Sequence, residues 1–410
     1  MAGGPGSYVI GEEEKKELLD VIEGKYLFRY GSELESGYKH KVVSFEEKVK
    51  ELLNIDYAVA TSSGTGALAC CLVALGIGAG DEVIVPGYTF IASISSIVLC
   101  NAIPVLAEID ESLTLDPEKI EELITPQTKA IMAVHMLGNP CKLDVIMEIA
   151  KKHNLVVIED CCQAFGASYK GERVGNFGDI AGYSLNIFKT INAGDGGVVC
   201  TNNYDLYERA FGFHDQGHKP SRMGVEVGNR SIIGMNMRMN ELTGAVALAQ
   251  ARKLDNILLT LREKKAKLKG FLEGLPNFSF RRINDVQGEC ATMLTLIFDT
   301  KELAEKFSKT IGSEPIANSG WHVYNNMEQI LNKVTGSTAN CPYDCPRFPI
   351  KREYKKHMLP QTDSILERAV NLSVGVVDKG IGANAGININ TDDLEIERIG
   401  EKFAEIIKSL

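Results

Sequence analysis

From about residue 45 to residue 160 the chain alternates short apolar runs with stretches of helical spacing, and this rhythm constrains the fold more than any other feature. Phe45, Val49, Leu52 and Leu53 are spaced as one face of a helix. Tyr57 to Thr61 reads as a strand, Ala67 to Leu75 as a helix stopped by Gly76 to Gly80, Glu82 to Pro86 as a strand, and Phe90 to Leu99 as a helix. The pattern continues with a strand at Pro104 to Ile109 and a helix at Pro117 to Ile124, opened by its proline. A strand at Ala130 to His135, a helix at Leu143 to His153 and a strand at Val156 to Glu159 follow. Strands separated by crossover helices predict an α/β fold, a mostly parallel sheet flanked by helices on both faces. Beyond residue 175 the register changes. Strands at Ile180 to Ser184 and Gly196 to Thr201 are separated by the loop Asn186 to Asp195, and helices follow at Tyr204 to Phe213 and Glu241 to Leu272. From about residue 275 the rhythm is α+β, with a strand at Met293 to Phe298, a helix at Lys301 to Ile311, a loop-rich section at 313–360 and a closing helix at Leu394 to Leu410. The expected organisation is a large domain over 1–250 and a smaller α+β C-terminal domain over 251–410.

Charge narrows the partners. Forty-four basic against 54 acidic residues leave 44 − 54 = −10, with the basic residues spread along the chain. No nucleic-acid partner is expected, because such a partner needs a basic face that displaces counterions. The uncharged stretches Tyr57 to Gly80 and Val83 to Ala107 approach the length of a membrane span. They are interrupted by Ser62-Ser63-Gly64-Thr65-Gly66, Pro86-Gly87 and Asn101, so they read as buried strand-plus-helix units and no membrane partner is expected. Ten cysteines include the adjacent pairs Cys70–Cys71 and Cys161–Cys162 in apolar runs, and residues 1–30 do not have the pattern of a secretory leader. Reduced thiols and a cytoplasmic location are expected. Cys341 and Cys345 lack two further ligands at comparable spacing, so no metal is expected.

Ligands of open parallel sheets bind beyond the carboxyl ends of the strands. The strand Tyr57 to Thr61 is followed by Ser62-Ser63-Gly64-Thr65-Gly66 and a helix. Small residues let the backbone approach an anion, and a helix N-terminus directs free N–H groups at it. Taken alone this is either a phosphate cup or an ordinary tight turn. It is not a nucleotide P-loop, because no Gly-Lys-Ser/Thr follows, nor a dinucleotide fingerprint, because the third glycine is missing. Asp160 ends the strand Val156 to Glu159 and is followed by Gln163. An acid in so apolar a run needs a partner, which a cationic ring nitrogen or a structural arginine would supply. Lys189 is flanked by Ile187, Phe188 and Ile191, and Ser184 lies five residues before it. Desolvation lowers a lysine's pKa, and a neutral amine can form a Schiff base. Lysine, acid, serine and glycine cup, in this order, are the parts that pyridoxal 5'-phosphate requires.

These motifs resemble the DegT–DnrJ group of sugar aminotransferases, which are fold-type I pyridoxal phosphate enzymes. The likeness covers nearly the whole chain. It is carried by Ser62-Ser63-Gly64-Thr65-Gly66-Ala67-Leu68, Val85-Pro86-Gly87-Tyr88-Thr89-Phe90, Ile158-Glu159-Asp160-Cys161-Cys162-Gln163-Ala164, the Ser184-to-Lys189 run with Gly196-Gly197, Gly234-Met235-Asn236-Met237-Arg238-Met239-Asn240, and Leu359-Pro360-Gln361-Thr362-Asp363. The resemblance implies that Lys189 is the Schiff-base lysine and proton shuttle. It implies that Asp160 pairs with the pyridine nitrogen, Gln163 lies by the phenolic oxygen, Phe90 stacks on the ring, and Gly64, Thr65 and Ser184 hold the phosphate. It assigns Asn236 to the phosphate of a neighbouring subunit's cofactor, and so implies a homodimer with shared sites. An amino-acid donor, glutamate, and a keto or aldehyde sugar acceptor follow from the same resemblance. Two features depart from the family pattern, Leu185 where an aromatic is frequent and Val374-Gly375-Val376 where prolines are usual.

Three stretches look like the enzymes that form 8-amino-3,8-dideoxy-octulosonate, a lipopolysaccharide sugar. They are Tyr26 to Gly31 with its continuation to His40, Trp321-His322-Val323-Tyr324, and Asn371 to Gly386. Nucleotide-linked keto sugars and keto-cyclitols are the alternative acceptors. A pyridoxamine-dependent dehydratase on this fold would have replaced Lys189, and a non-catalytic sensor would have lost Lys189 or Asp160. Arg238 is expected to bind a carboxylate of donor or sugar, or a structural acid, and His322 to line a sugar pocket. His135 before Gly138-Asn139-Pro140 reads as a turn histidine, His214 and His218 flanking Asp215 as loop residues, and Asp195 as turn chemistry.

Overall fold

Nine strands and their connections fill residues 57–201 of the computed structural model, which describes residues 2–32, 35, 37–221, 227–348 and 351–410. They are β1 (Tyr57–Thr61), β2 (Glu82–Pro86), β3 (Ile103–Ala107), β4 (Thr128–Val134), β5 (Val156–Asp160), β6 (Ser168–Tyr169), β7 (Glu172–Arg173), β8 (Ile180–Ser184) and β9 (Gly197–Thr201). Seven form one sheet in the order β1-β9-β8-β5-β4-β2-β3, while β6 and β7 make a separate two-stranded ribbon. β3, β2, β4, β5 and β8 run parallel. β9 is antiparallel to both its neighbours. The connection from β8 to β9 contains no crossover helix, so the chain returns antiparallel.

β2 and β3 are buried along their whole length, as strands covered on both faces must be. Ala58, Ala60, Ile84 and Ile131 pack on one face with Phe45, Val49, Ile146 and Leu254. Val59, Val83, Val85 and Met132 pack on the other with Leu72, Ile94 and Ile97. The period-2 alternation of each strand thus feeds two separate layers of helices.

A three-stranded antiparallel sheet follows, of β10 (Phe278–Phe280), β11 (Met293–Phe298) and β12 (Ala369–Ser373). It packs against the helices Lys301–Thr310 and Asp393–Lys408. The 30-residue helix Glu241–Gly270 is capped by the Asn240 side chain, which accepts from the Thr243 amide at 3.0 Å. We propose that the large and small units meet along this helix. The boundary between 250 and 251 falls inside it.

Two local expectations are corrected. Pro117 to Ile124 is not one helix but two 3-10 turns, Pro117–Lys119 and Glu121–Leu123. Thr125 precedes Pro126, which disfavours helical backbone, and Ile124 is already extended. Conversely, the charged N-terminal stretch forms a helix, Glu12–Gly24, that the periodicity did not indicate. Its buried Glu14 and Glu17 pair with Lys253, Lys41 and Arg252. No helix among the described residues is long and apolar enough to cross a membrane. None of the ten cysteines is in a disulfide.

Candidate active site

The carboxyl ends of β1, β5 and β8 open on one cavity of about 600 Å3. At the end of β1 the extended Ser63 caps the helix Gly64–Ala74, its Oγ accepting from the Gly66 amide at 3.0 Å. The Gly64 and Thr65 amides, in the first turn, have no intrahelical acceptor and lie at the cavity wall. The helix dipole adds partial positive charge there. Ser184, the last residue of β8, closes the other side. A Cβ on Gly64 would stand 2.6 Å from the Ser184 Cβ, so only glycine permits this approach. The result is an anion cup built from two distant strands.

Asp160 is the last residue of β5 and only 3% exposed. Its Oδ2 accepts from Ser93 Oγ at 2.6 Å and its Oδ1 from the Cys162 amide at 3.0 Å. Ser93 is in turn 2.6 Å from Thr89 Oγ1. The sequence reasoning missed Ser93 and Thr89. Their signal was a pair of hydroxyls four residues apart where β2 gives way to the helix Ile91–Leu99.

Lys189 lies in the β8–β9 connection and lines the same cavity. Burial pulls its ammonium pKa below the ordinary lysine value, against the opposing pull of Cys162, Asp160 and Asp378. The loop is pinned from outside. The Gly4 amide donates to the Ile187 carbonyl at 2.8 Å, and a Cβ on Gly4 would come within 2.4 Å of the Phe188 backbone.

Gln163 accepts from the Leu137 amide through Oε1 at 2.8 Å, and among the described residues its Nε2 has no partner beside the cavity. Phe90 shares this wall with Trp321 and His322. Main-chain bonds from Thr89 to His322 and from Ile91 to Trp321, both 2.9 Å, set the two rings 5.3 and 6.1 Å from that of Phe90.

Two expected site residues are not in this lining. Asn236 is exposed, and Arg238 is ion-paired with buried Asp215 while standing 5.5 Å over the Phe28 ring. Of the two readings of Arg238, the structural acid is the one found. Their segment nevertheless docks on the cup, the Ser62 amide donating to the Met237 carbonyl at 2.7 Å.

His214 and His135 are committed to internal partners. His214 Nδ1 donates to the Phe211 carbonyl at 2.6 Å, and its Nε2 faces Arg29 at 3.2 Å. Burial and that guanidinium push its pKa down to about 3. His135, Glu159 and Cys161 converge within 4.8 Å of one another. Their hydrogen-bonding capacity is used internally. His135 Nδ1 accepts from the Cys141 amide, so its Nε2 donates to Glu159, which also accepts from the Gly175, Phe177 and Gly178 amides. The group locks the strand that carries Asp160.

This geometry is matched by sequence relationships. The DegT/DnrJ/EryC1/StrS aminotransferase family matches residues 9–376. The chain belongs to this family. It is 40% identical to GDP-perosamine synthase of Escherichia coli O157:H7 over 252 residues, 61% of this chain and 66% of that protein. It is also 40% identical to L-glutamine:2-deoxy-scyllo-inosose aminotransferase of Streptoalloteichus tenebrarius over 223 residues, 52% of each chain. The matches thus span between about half and two thirds of these relatives. The aminotransferase from Psychrobacter cryohalolentis superposes with a TM-score of 0.78 at 26% identity, covering 98% of both chains. The family's cofactor is pyridoxal 5'-phosphate, and the residues present fit it. They offer a cup in which a Cβ has no room, a buried carboxylate at a strand end and an amine whose charged form is disfavoured.

Proposed function

We propose that the protein is a pyridoxal-phosphate-dependent aminotransferase that moves an amino group from an amino acid, with glutamate as donor, to a keto or aldehyde sugar. One observation carries the reading: Lys189, Asp160 and the Gly64–Thr65–Ser184 cup, from separate elements, line one cavity. The cofactor supplies an electron sink for the carbanion that proton removal from the substrate leaves. The amides of Gly64 and Thr65 and the Ser184 hydroxyl hold its phosphate. Asp160, oriented by Ser93 and the Cys162 amide, presents a carboxylate to the ring nitrogen. Gln163 would donate toward the cofactor's phenolic oxygen, and Phe90 would supply an apolar wall for its ring. Lys189 would hold the cofactor through its amine and would move the proton at the substrate carbon, a task that burial favours by disfavouring the ammonium. Donor and acceptor use the same cavity in turn, so kinetics are ping-pong.

The activities named for these relatives support a nucleotide-linked keto sugar or a keto-cyclitol as acceptor. The stretches Tyr26 to His40, Trp321 to Tyr324 and Asn371 to Gly386 support a finer reading, an 8-oxo-3-deoxy-octulosonate of lipopolysaccharide synthesis. Glu33, Leu34 and Ser36 of the first stretch lie outside the described residues. Exposed Asn236, on a segment docked to its own cup, supports a homodimer in which each chain completes the other's phosphate site. The composition supports a cytoplasmic enzyme without nucleic-acid or membrane partners.

The test is a two-stage incubation. Glutamate should shift the absorbance of the cofactor-loaded protein, and a panel of GDP-4-keto-6-deoxymannose, 2-deoxy-scyllo-inosose and 8-oxo-3-deoxy-octulosonate should restore it, with the aminated product identified by mass. Loaded protein that responds to no amino acid would instead be a sensor on this fold.

A further inference from the structure

Trp321 and His322 are neighbours on one segment in opposite environments. Trp321, the only tryptophan of the chain, is 66% exposed at the cavity rim, whereas His322 is 6% exposed in the wall. The segment is held by its main-chain bonds to Thr89 and Ile91, and Tyr88 and Val323 form a further antiparallel bridge. The backbone here is therefore fixed, and it carries the indole as an exposed apolar face at the cavity rim.

Hydrogen-bond capacity determines the His322 tautomer. Ser319 Oγ donates its single proton to the Gly380 carbonyl, which can only accept. The 3.0 Å contact between Ser319 Oγ and His322 Nδ1 must then run from Nδ1–H to Oγ. Nδ1 carries the proton and Nε2 a lone pair. Among the described residues Nε2 has no partner, and it is not a sealed buried atom, so it is open to the cavity its ring lines. Burial, reinforced by the nearby Lys189, pushes the imidazole pKa down to about 3, which keeps it neutral and accepting.

We infer that Trp321 and His322 form the subsite for the amino acceptor, a polyhydroxylated sugar or cyclitol whose C–H face lies on the Trp321 indole and one of whose hydroxyls donates to His322 Nε2. Ser319 is a positioning residue that fixes the tautomer. The inference rests on the aminotransferase reading and adds the chemistry that separates the two half-reactions. Glutamate and 2-oxoglutarate carry no hydroxyl for Nε2, so the subsite serves the sugar step alone.

The experiment follows each half-reaction in the cofactor-loaded enzyme. Glutamate drives the first. GDP-4-keto-6-deoxymannose, 2-deoxy-scyllo-inosose, 8-oxo-3-deoxy-octulosonate and, as the acceptor without hydroxyls, 2-oxoglutarate drive the second. His322→Asn keeps a donor toward Ser319 and loses Nε2, while His322→Gln restores an acceptor near the Nε2 position. His322→Asn should slow the sugar step about tenfold or more and His322→Gln by less than about threefold, with Ser319→Ala between them. All three should leave the glutamate and 2-oxoglutarate steps within about twofold, which also reports an intact fold. Acceptor sugar should change the fluorescence of Trp321 in the wild type, and Trp321→Ala should raise KM for sugar only. Equal losses in both steps, or a His322→Gln enzyme as slow as His322→Asn, would overturn the subsite. So would a wild type that responds to glutamate while none of the three sugars reacts or perturbs Trp321. Failure to respond to glutamate would strike the aminotransferase reading instead.

Discussion

Asp160→Asn separates charge from structure in this site. The carboxylate receives two hydrogen bonds, from Ser93 Oγ and the Cys162 amide. An asparagine placed with Oδ1 toward the Cys162 amide keeps the second bond. At the other position its Nδ2 donates, and the Ser93 hydroxyl can reverse to accept from it while donating to Thr89 Oγ1, 2.6 Å away. The site is then satisfied, nothing buried is orphaned, and the variant should unfold within about 1 kcal/mol of the wild type. What is lost is the anion proposed to stand opposite the cofactor's ring nitrogen. Two unit charges about 4 Å apart at an effective dielectric of about 20 interact by roughly 4 kcal/mol. Desolvation of the wild-type carboxylate offsets part of that, leaving about 3 kcal/mol, or a hundredfold in rate. The assay pairs the single-turnover rate with glutamate with urea unfolding of the cofactor-free protein. A hundredfold loss with unchanged stability is expected. A rate change below about threefold would refute the claim that Asp160 faces the ring, and a large loss of stability would refute the hydroxyl-reversal argument.

Burial lowers the folded-state pKa of Lys189 below its unfolded value of about 10.4, so the folded protein binds fewer protons than the unfolded between those values. The cofactor-free protein therefore carries a penalty at neutral pH that fades toward about pH 10.4. Lys189→Met should be inactive yet more stable than wild type in urea at pH 7, with the advantage shrinking as pH rises; an advantage that grows with pH would contradict this. Glu159→Gln sets an amide donor against backbone or imidazole donors at two of four hydrogen bonds, so urea unfolding should show a loss of about 3 kcal/mol or more, and a loss under 1 would mean that the Glu159 cluster is not a lock. Asn236→Asp places negative charge where the partner's phosphate is proposed to lie, so cofactor affinity and dimerisation should both fall. Mixed with Lys189→Ala, it should regain activity from two inactive parents, because one site of each mixed dimer collects both defects; no regain under proven subunit exchange would exclude this shared site.

The alternation of strands and helices was legible because burial on two faces writes itself into local periodicity. β2, β3 and β11 are mostly apolar runs whose ends could be read to within a residue or two. The cup, Asp160 and Lys189 were legible for a related reason. Each sits at the carboxyl end of a strand or in the connection that follows it, and a parallel sheet places all such ends on one edge. The failures also have local causes. Pro126 broke a helix that periodicity suggested, and the Glu12–Gly24 helix was hidden because two of its three buried positions, Glu14 and Glu17, are charged and only Val21 is apolar.

Partner choice was not legible. Ser93 reaches Asp160 from 67 residues away, Arg238 takes Asp215 rather than a substrate carboxylate, and Glu14 and Glu17 find Lys253 and Arg252 across most of the large unit. His322 enters the cavity because a loop far along the chain lies beside Phe90, and its tautomer is set by a serine of its own loop that is itself committed to a carbonyl on a further segment. The amino-acid sequence by itself determined which stretches are strands, which edge of the sheet gathers the candidate site and which residue types stand there, since those depend on side-chain periodicity over a few residues. Only the tertiary structure decided which polar groups satisfy one another, because a hydrogen bond is specified to tenths of an ångström by the packing of the whole chain, and no local pattern carries that distance.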